Sequence, residues 1–420
     1  MKLDLTSDQI RTSMVVEASA GTGKTYAVAA LVARELATRD DLRIGNILIT
    51  TFTRNAAMEL RYRIRKRLIS TAADLRSSTA GAADALAKFL NDTDEINRSK
   101  QVCRLERALV EFDTATISTI HGVCSRVLRT AGVDIETVVD TEETDRIVNE
   151  VVNDAIVAAA AKGQRWDEST LRSLLTIMLG DPFIESWFDK RQIGDVAVID
   201  RLCNLEEILA QCVERVHNAM AATPDSNDLL RRAYELVADP HSGVVRRLKN
   251  RFLLAIVDEA QDTDRLQWEF FTRLFPGNDN RSLVSVGDPK QAIYSFRGAD
   301  VQAYVNFTKK EKNHRTLSTN WRSDKPLLDN LNNAFSHVSF GDGIDYRDVT
   351  ASEDHQESCL VGEIQPLEII HLGKTDNQQS LVGPTVGKVI HLLDNVRLIP
   401  RGEKESRQLA PNDICILTRT

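Results

Sequence analysis

Three groups of residues in this chain have the types and spacing needed to bind and split a phosphoanhydride. The first is Val15 to Thr25, which reads V-V-E-A-S-A-G-T-G-K-T. Two β-branched residues lead into a loop of small residues, Ala18, Ser19, Ala20, Gly21, Thr22 and Gly23, and an alanine-rich helix is expected to begin at Lys24. Glycines at 21 and 23 allow backbone conformations in which amide N–H groups converge on phosphate oxygens. The helix start adds the positive end of its dipole. Lys24 can reach the β- and γ-phosphates, and the Thr25 hydroxyl can ligate Mg²⁺. Ala18 stands where the general phosphate-loop pattern has a glycine. The second group is Asp258-Glu259, delivered by the apolar strand within Arg251 to Gln261, R-F-L-L-A-I-V-D-E-A-Q. Asp258 can hold the Mg²⁺ shell, and Glu259 can orient or deprotonate an attacking water. Read alone, these acids also suit the N-terminus of a helix. The third group is Gln291, a neutral amide able to sense a γ-phosphate, together with Trp321 and Arg322 at the end of Leu317 to Ser323. An indole can stack on adenine, and a guanidinium fork suits a γ-phosphate.

The elements that must place these residues alternate. The stretch Ile44 to Thr51 reads as a buried parallel strand, and so do the runs ending at Asp258 and at Asp288. Ligands of open α/β sheets bind at the carboxyl ends of such strands. Thr51, Phe52 and Thr53 lie at one of these ends, ahead of a basic helix-like stretch from Arg54 to Arg67. Thr119 and His121 lie at another. Hydroxyls and a histidine can contact phosphates, and Phe52, Tyr294 and Phe296 can stack on bases. A capping histidine and an ordinary solvated basic helix are the alternatives at these places. Gln9 can read an adenine edge, and equally belongs to a helix-capping sequence with Thr6 or Ser7. Between about 131 and 244 amphipathic helical patterns dominate, which predicts a helical insertion. Further on, a helix is expected near 325–337, a strand near 363–371, a helix near 384–394 and a strand at Ile414 to Leu417. The polar segment from Ser339 to Ser358 is expected to be a mobile loop.

With 420 residues, the chain should form two to four domains. Hydrophobic content of 42% and charged content of 27% fit a globular protein. No apolar run approaches the ~20 residues of a membrane helix, and no signal peptide is visible, so no membrane role is expected. Six scattered cysteines form no C-x-x-C pair and fit a reducing cytoplasm. The net charge of −8 does not advertise a nucleic-acid binder, but the clustering of arginines between residues 54 and 67 is a local exception.

Taken together, E-A-S-A-G-T-G-K-T, T-F-T-x-x-A-A-x-E-L-R, T-I-H-G, V-D-E-A-Q-D-T, V-G-D-P-K-Q-A-I-Y-x-F-R-G-A-D and N-W-R-S resemble, in this order, the UvrD/RecB-like branch of superfamily 1 helicases. The wording leans towards the RecB/AddA-type recombination motors. The resemblance implies an α/β fold: a RecA-like P-loop NTPase parallel sheet with an all-helical insertion and the beginning of a second RecA-like domain. The expected division is 1–130 with 245–312 for the first motor domain, 131–244 for the insertion and 313–420 for part of the second. It implies ATP and Mg²⁺ as cofactors and single-stranded or duplex DNA as partner, with other subunits of a helicase–nuclease complex as possible company. It assigns adenine reading to Gln9, adenine stacking to Trp321, a first arginine finger to Arg322, a sensor role to Arg297 and single-strand contacts to Thr51, Phe52, Thr53, Thr119, His121, Tyr294 and Phe296. In this family alanine is tolerated at the position of Ala18. Asn55 stands in place of a frequent lysine and Val123 in place of a frequent aromatic. The implied activity is ATP-driven, 3′-to-5′ translocation and unwinding in DNA repair and recombination. A DNA-binding ATPase switch that does not unwind is the alternative. The family's later T-x-H-x-x-K-G block and second arginine finger are not found, so the chain is expected to be an N-terminal portion, weakly active alone.

Overall fold

The computed structural model describes the chain except residues 7–9, 78–83, 134–140, 181–192, 194, 221–225, 278–279, 294–299, 342, 363, 370–381 and 419–420. Gln9, Tyr294, Phe296 and Arg297 therefore lie outside the described residues. In order, the elements are β1 (Met14–Ala18), α1 (Lys24–Thr38), β2 (Ile47–Thr51), α2 (Arg54–Ser77), α3 (Ala85–Asn91), α4 (Glu95–Val110), β3 (Thr116–Thr119) and α5 (Ile120–Thr130). Then come α6 (Thr141–Ala161), α7 (Glu168–Gly180), α8 (Val196–Ala219), α9 (Ser226–Ala238) and α10 (Gly243–Arg251). β4 (Leu254–Asp258), α11 (Arg265–Leu274), β5 (Ser282–Gly287), α12 (Val301–Lys310) and β6 (His314–Leu317) follow. The last are β7 (Thr319–Asn320), α13 (Lys325–Phe335), β8 (Thr350–Ala351), β9 (Leu360–Val361), α14 (Val382–Asn395), β10 (Arg397–Leu398) and β11 (Arg407–Gln408).

Six strands form one sheet in the order β3-β2-β4-β5-β1-β6, and the pairings β3·β2, β2·β4, β4·β5 and β5·β1 are all parallel. The strands are short apolar runs because both sheet faces are covered. Val15, Leu48, Ala255, Val257 and Leu283 pack into a core with α5, α9, α10, α11 and α12. Their alternates Val16, Ile49, Ile256 and Val284 are equally buried, as the period-2 pleat requires. Within that core Trp268 stacks on Phe307 with ring centroids 4.3 Å apart.

The helices between 131 and 244 do not share one core. Ile147, Val148, Val151, Val152, Leu171, Leu175, Leu209, Cys212 and Val216 from α6–α8, with Met220 just past the end of α8, form a cluster of their own. α9 instead places Leu229, Leu230, Ala233 and Val237 in the core beside the sheet.

By its contacts the chain divides into two compact units, Met1–Glu17 with Lys24–Thr316, and Ala18–Gly23 with Leu317–Thr420. The second holds the parallel pair β7·β8 and the antiparallel sheet β11-β10-β9. Three expectations need correction there. The strand expected near 363–371 does not form over the described residues 364–369, where Leu367 and Ile369 are exposed and Pro366 has no N–H to give a ladder. The stretch Ile414 to Leu417 forms no strand; Ile416 and Leu417 are exposed, so an apolar run without a covering layer stays irregular. The stretch 339–358 is not a free loop. Asn332 of α13 donates to the Val349 carbonyl at 2.9 Å and accepts from Tyr346 Oη at 2.9 Å, Thr350 N and Ser352 N donate to Ser318 O and Asn320 O, each at 2.9 Å, and Ile344, Val349 and Ser352 are buried.

Candidate nucleotide and nucleic-acid sites

β1 ends at Ala18, and the loop that follows turns through Gly21 at φ 77° and Gly23 at φ 84° before α1 opens at Lys24. Both values lie in the left-handed region, which glycine enters without strain. Ser19 O accepts from Thr22 N at 3.3 Å and from Thr22 Oγ1 at 2.7 Å, which closes the turn. Ala20 O accepts from Asn320 Nδ2 at 2.9 Å, and Gly21 O from Trp321 N at 2.8 Å. Asn320 Oδ1 also accepts from Arg322 N and Ser323 N at 2.8 Å each. A Cβ on Gly21 would lie 2.8 Å from Asn320 Nδ2 and 2.9 Å from Arg322 Cβ, so no side chain fits there. The Trp321 indole is 57% exposed, which leaves its face open.

Lys24 Nζ lies 2.6 Å from Glu259 Oε2, and the lysine side chain is only 11% exposed. Thr25 is in the first turn of α1 and partly buried. Asp258 ends β4 in register with Val286 of β5. It is buried, and its Oδ1 has no hydrogen-bond partner. Burial, then the neighbouring Glu259, push its carboxyl up to about 7, with Lys24 opposing. Burial and Glu259 likewise push Asp262 up to about 6. Glu259 has φ 51°, a left-handed conformation rare outside glycine. Gln291 is half-buried, and its Nε2 donates to Asp288 Oδ2 at 2.7 Å.

The orphaned Asp258 Oδ1 bears on whether Mg²⁺ suits this place. A buried acceptor with nothing to accept from is costly, and a hydrated cation would satisfy it. Mg²⁺ takes one or two protein ligands and completes its shell with phosphates and water. The donor set of Lys24, Thr25 and Asp258 fits Mg·ATP.

The β2·β3 register pairs Thr51 with Thr119. It brings the segments beginning Phe52-Thr53 and Ile120-His121 to the same sheet edge. Thr51 is buried at 4%, so its side chain does not reach the surface. Thr53 Oγ1 accepts from Ala56 N at 3.1 Å, and Thr119 Oγ1 from Gly122 N at 3.3 Å. Both threonines therefore cap helices, but each O–H remains free to donate. His121 lies beside Arg54, Arg61, Ser118, Thr119 and Ser125 around a cavity of about 380 Å³. Arg126, which donates to Thr116 Oγ1 at 3.1 Å, has its guanidinium pKa lowered first by burial and then by the like charges of Arg251, Arg61 and Arg129. Ser118, Ser125 and Arg126 escaped sequence reasoning. Their signal was partly periodicity, because Ser118 flanks Thr119 on β3 and Ser125 follows His121 by a helical turn, whereas Arg126 lies one residue further round α5.

Residues 4–312 match the model of the UvrD/REP helicase N-terminal domain. The chain belongs to the UvrD/REP helicase family. This UvrD/REP chain is 34% identical over 336 residues to RecBCD enzyme subunit RecB of Mycobacterium tuberculosis strain H37Rv, covering 79% of this chain and 30% of that protein. It is 34% identical over 359 residues to RecBCD enzyme subunit RecB of Mycolicibacterium smegmatis, covering 84% and 32%. To RecBCD enzyme subunit RecB of Escherichia coli strain K12 it is 25% identical over 551 aligned positions, covering 97% and 46%. The match thus spans between 30% and 46% of the length of these relatives. The mixed α/β architecture with its parallel sheet is the RecA-like one expected of the family. Among the described residues no helix is long and apolar enough to cross a membrane.

Proposed function

We propose that this protein is the ATP-driven motor portion of a DNA helicase that translocates 3′-to-5′ on single-stranded DNA in repair and recombination. By this reading it is one subunit of a larger helicase–nuclease assembly and works in the cytoplasm. The observation that carries the reading is the 2.6 Å contact between Lys24, directly after the phosphate loop, and Glu259, directly after the buried Asp258. A phosphate-binding lysine and a water-activating carboxylate at one place are the machinery of phosphoanhydride hydrolysis. Under this reading residues 1–130 with 245–312 are the first motor domain, 131–244 the helical insertion and 313–420 part of the second motor domain.

Ser19 to Gly23 would offer backbone N–H groups to the phosphates, and Thr25 and Asp258 would hold Mg²⁺. When bound, that ion neutralises charge on the β- and γ-oxygens. Lys24 leaves Glu259 for the phosphates, which frees the carboxylate to orient water and take its proton. Gln291 senses the γ-phosphate, and Arg322 serves as a first arginine finger. Gln9 and Trp321 read and stack on adenine. The cavity beside His121, lined by Thr119, Arg54 and Arg61, takes the DNA backbone together with Phe52 and Thr53 at the same sheet edge, while Tyr294 and Phe296 stack on bases. Thr51 shapes this edge from beneath.

The test is Glu259→Gln in the full-length protein. ATP and single-stranded DNA binding should persist while hydrolysis and strand displacement are lost. Normal hydrolysis by this variant would sink the base assignment. Hydrolysis by the parent without strand displacement would leave a DNA-dependent ATPase switch instead of a helicase.

A further inference from the structure

We propose that Gln261 is a positioning residue whose side-chain amide holds the Glu259 carboxylate and ties it to the segment Asp288–Gln291. The inference deepens the reading above and rests on Glu259 as base and Gln291 as γ-phosphate sensor. Gln261 is buried, with 2% of its surface exposed. Its Nε2 donates to Glu259 Oε2 at 2.9 Å and, more weakly, to Asp262 Oδ2 at 3.3 Å. Its Oε1 accepts from Asp288 N at 3.0 Å. Asp288 is itself buried and uses both carboxylate oxygens: Oδ1 pairs with Lys290 Nζ at 2.7 Å, and Oδ2 accepts from Gln291 Nε2 at 2.7 Å. A continuous hydrogen-bonded path therefore runs from Glu259 through Gln261 and Asp288 to Gln291.

Two further observations single out an amide at this place. Only a group with both a donor and an acceptor can satisfy a carboxylate on one side and a peptide N–H on the other. And β5 ends at Gly287, where an added Cβ would lie 2.7 Å from Gln261 Oε1 and 3.2 Å from Gln261 N, so the sheet end is shaped to admit this side chain. Lys24 and Gln261 both hold the same oxygen of Glu259. Once Lys24 is drawn to the phosphates, Gln261 remains to aim the carboxylate. Movement of Gln291 on meeting the γ-phosphate is then felt at Glu259 through two side chains.

The experiment uses the full-length protein. Gln261→Glu keeps the acceptor for Asp288 N and removes the donor to Glu259, while Gln261→Leu removes both. Each should lower kcat of DNA-stimulated ATP hydrolysis by about 10²-fold, the usual penalty of a misplaced catalytic group. Affinity for a non-hydrolysable ATP analogue should stay within about threefold of the parent. Parent-level kcat in either variant overturns the proposal. So does a loss of analogue affinity as large as the loss of kcat, which marks a general packing defect. If Gln261→Leu fails to fold, the near-isosteric Gln261→Glu decides alone. Glu259→Gln run in parallel separates the two ideas: hydrolysis by that variant overturns the base assignment, whereas an inactive Glu259→Gln beside a fully active Gln261→Glu overturns only the positioning role.

Discussion

Glu259 adopts φ 51°, a backbone state that costs a residue with a side chain about 1–3 kcal/mol. Its neighbours enforce that state: β4 fixes Asp258, while Lys24 and Gln261 grip the carboxylate from outside. Burial, and after it the neighbouring Glu259 carboxylate, raise the Asp258 pKa, which yields a pH prediction. Between the unfolded value near 4 and about 7 in the fold, the native protein keeps a proton that the unfolded chain has lost. The native state then binds more protons, so stability falls as pH rises through this window. Asp262, pushed up to about 6, acts in the same direction. Melting temperatures measured from pH 4 to 7 without Mg²⁺ should show a less negative slope in Asp258→Asn than in the parent, and a still flatter one in Asp258→Asn/Asp262→Asn. An unchanged slope would mean that neither carboxyl is perturbed as described. Lys24, Asp258, Glu259 and Gln291 were legible because each sits at a fixed offset from an apolar strand. Gln261 and Asp288 were not singled out, because their importance lies in which atoms they join, and spacing does not report that.

At the scale of elements, the strands were readable because a parallel sheet covered on both faces favours predominantly apolar, β-branched runs, as in β2, β4 and β5. Helices were readable by period, but periodicity tells only that a helix has an apolar face. It does not tell what covers that face. Hence α9 read as one more member of the helical stretch, although its apolar residues lie in the core beside the sheet. The Ile414–Leu417 run shows the converse, since four apolar-rich residues make no strand without a layer to pack on. The separate core of α6–α8 gives an element-scale prediction. Leu209 is fully buried there, so Leu209→Ala should cost about 2–5 kcal/mol. Its effect should appear as early loss of protection in α6–α8 by hydrogen exchange, with affinity for an ATP analogue unchanged. Equal loss of protection in β2 and β4 would show that the two cores melt as one.

At the scale of the whole molecule, a net charge of −8 coexists with a groove lined by Arg54 and Arg61. Bulk charge therefore says little about this protein's partner, and salt dependence says more. Arg54 is exposed at the groove. Arg54→Ala should weaken single-stranded DNA binding uniformly across sequences, and the slope of log affinity against log salt should shrink by about 0.7, the contribution of one phosphate contact. An unchanged slope would place the DNA elsewhere. The order of strands in the sheet carries a consequence of another kind. β4 lies between β2 and β5, yet Thr51 leaves the ribosome some 200 residues before Asp258. At about 5–20 residues per second that gap lasts roughly 10–40 s. During it β2 can pair with β3 alone, and its other edge, destined for the centre of the sheet, stays exposed. The α6–α8 cluster has a core of its own and can fold meanwhile, but it cannot shield that edge by pairing with it. The nascent chain thus carries an unpaired strand edge while some 200 further residues are added, and contact with another chain's open edge is the hazard of that interval.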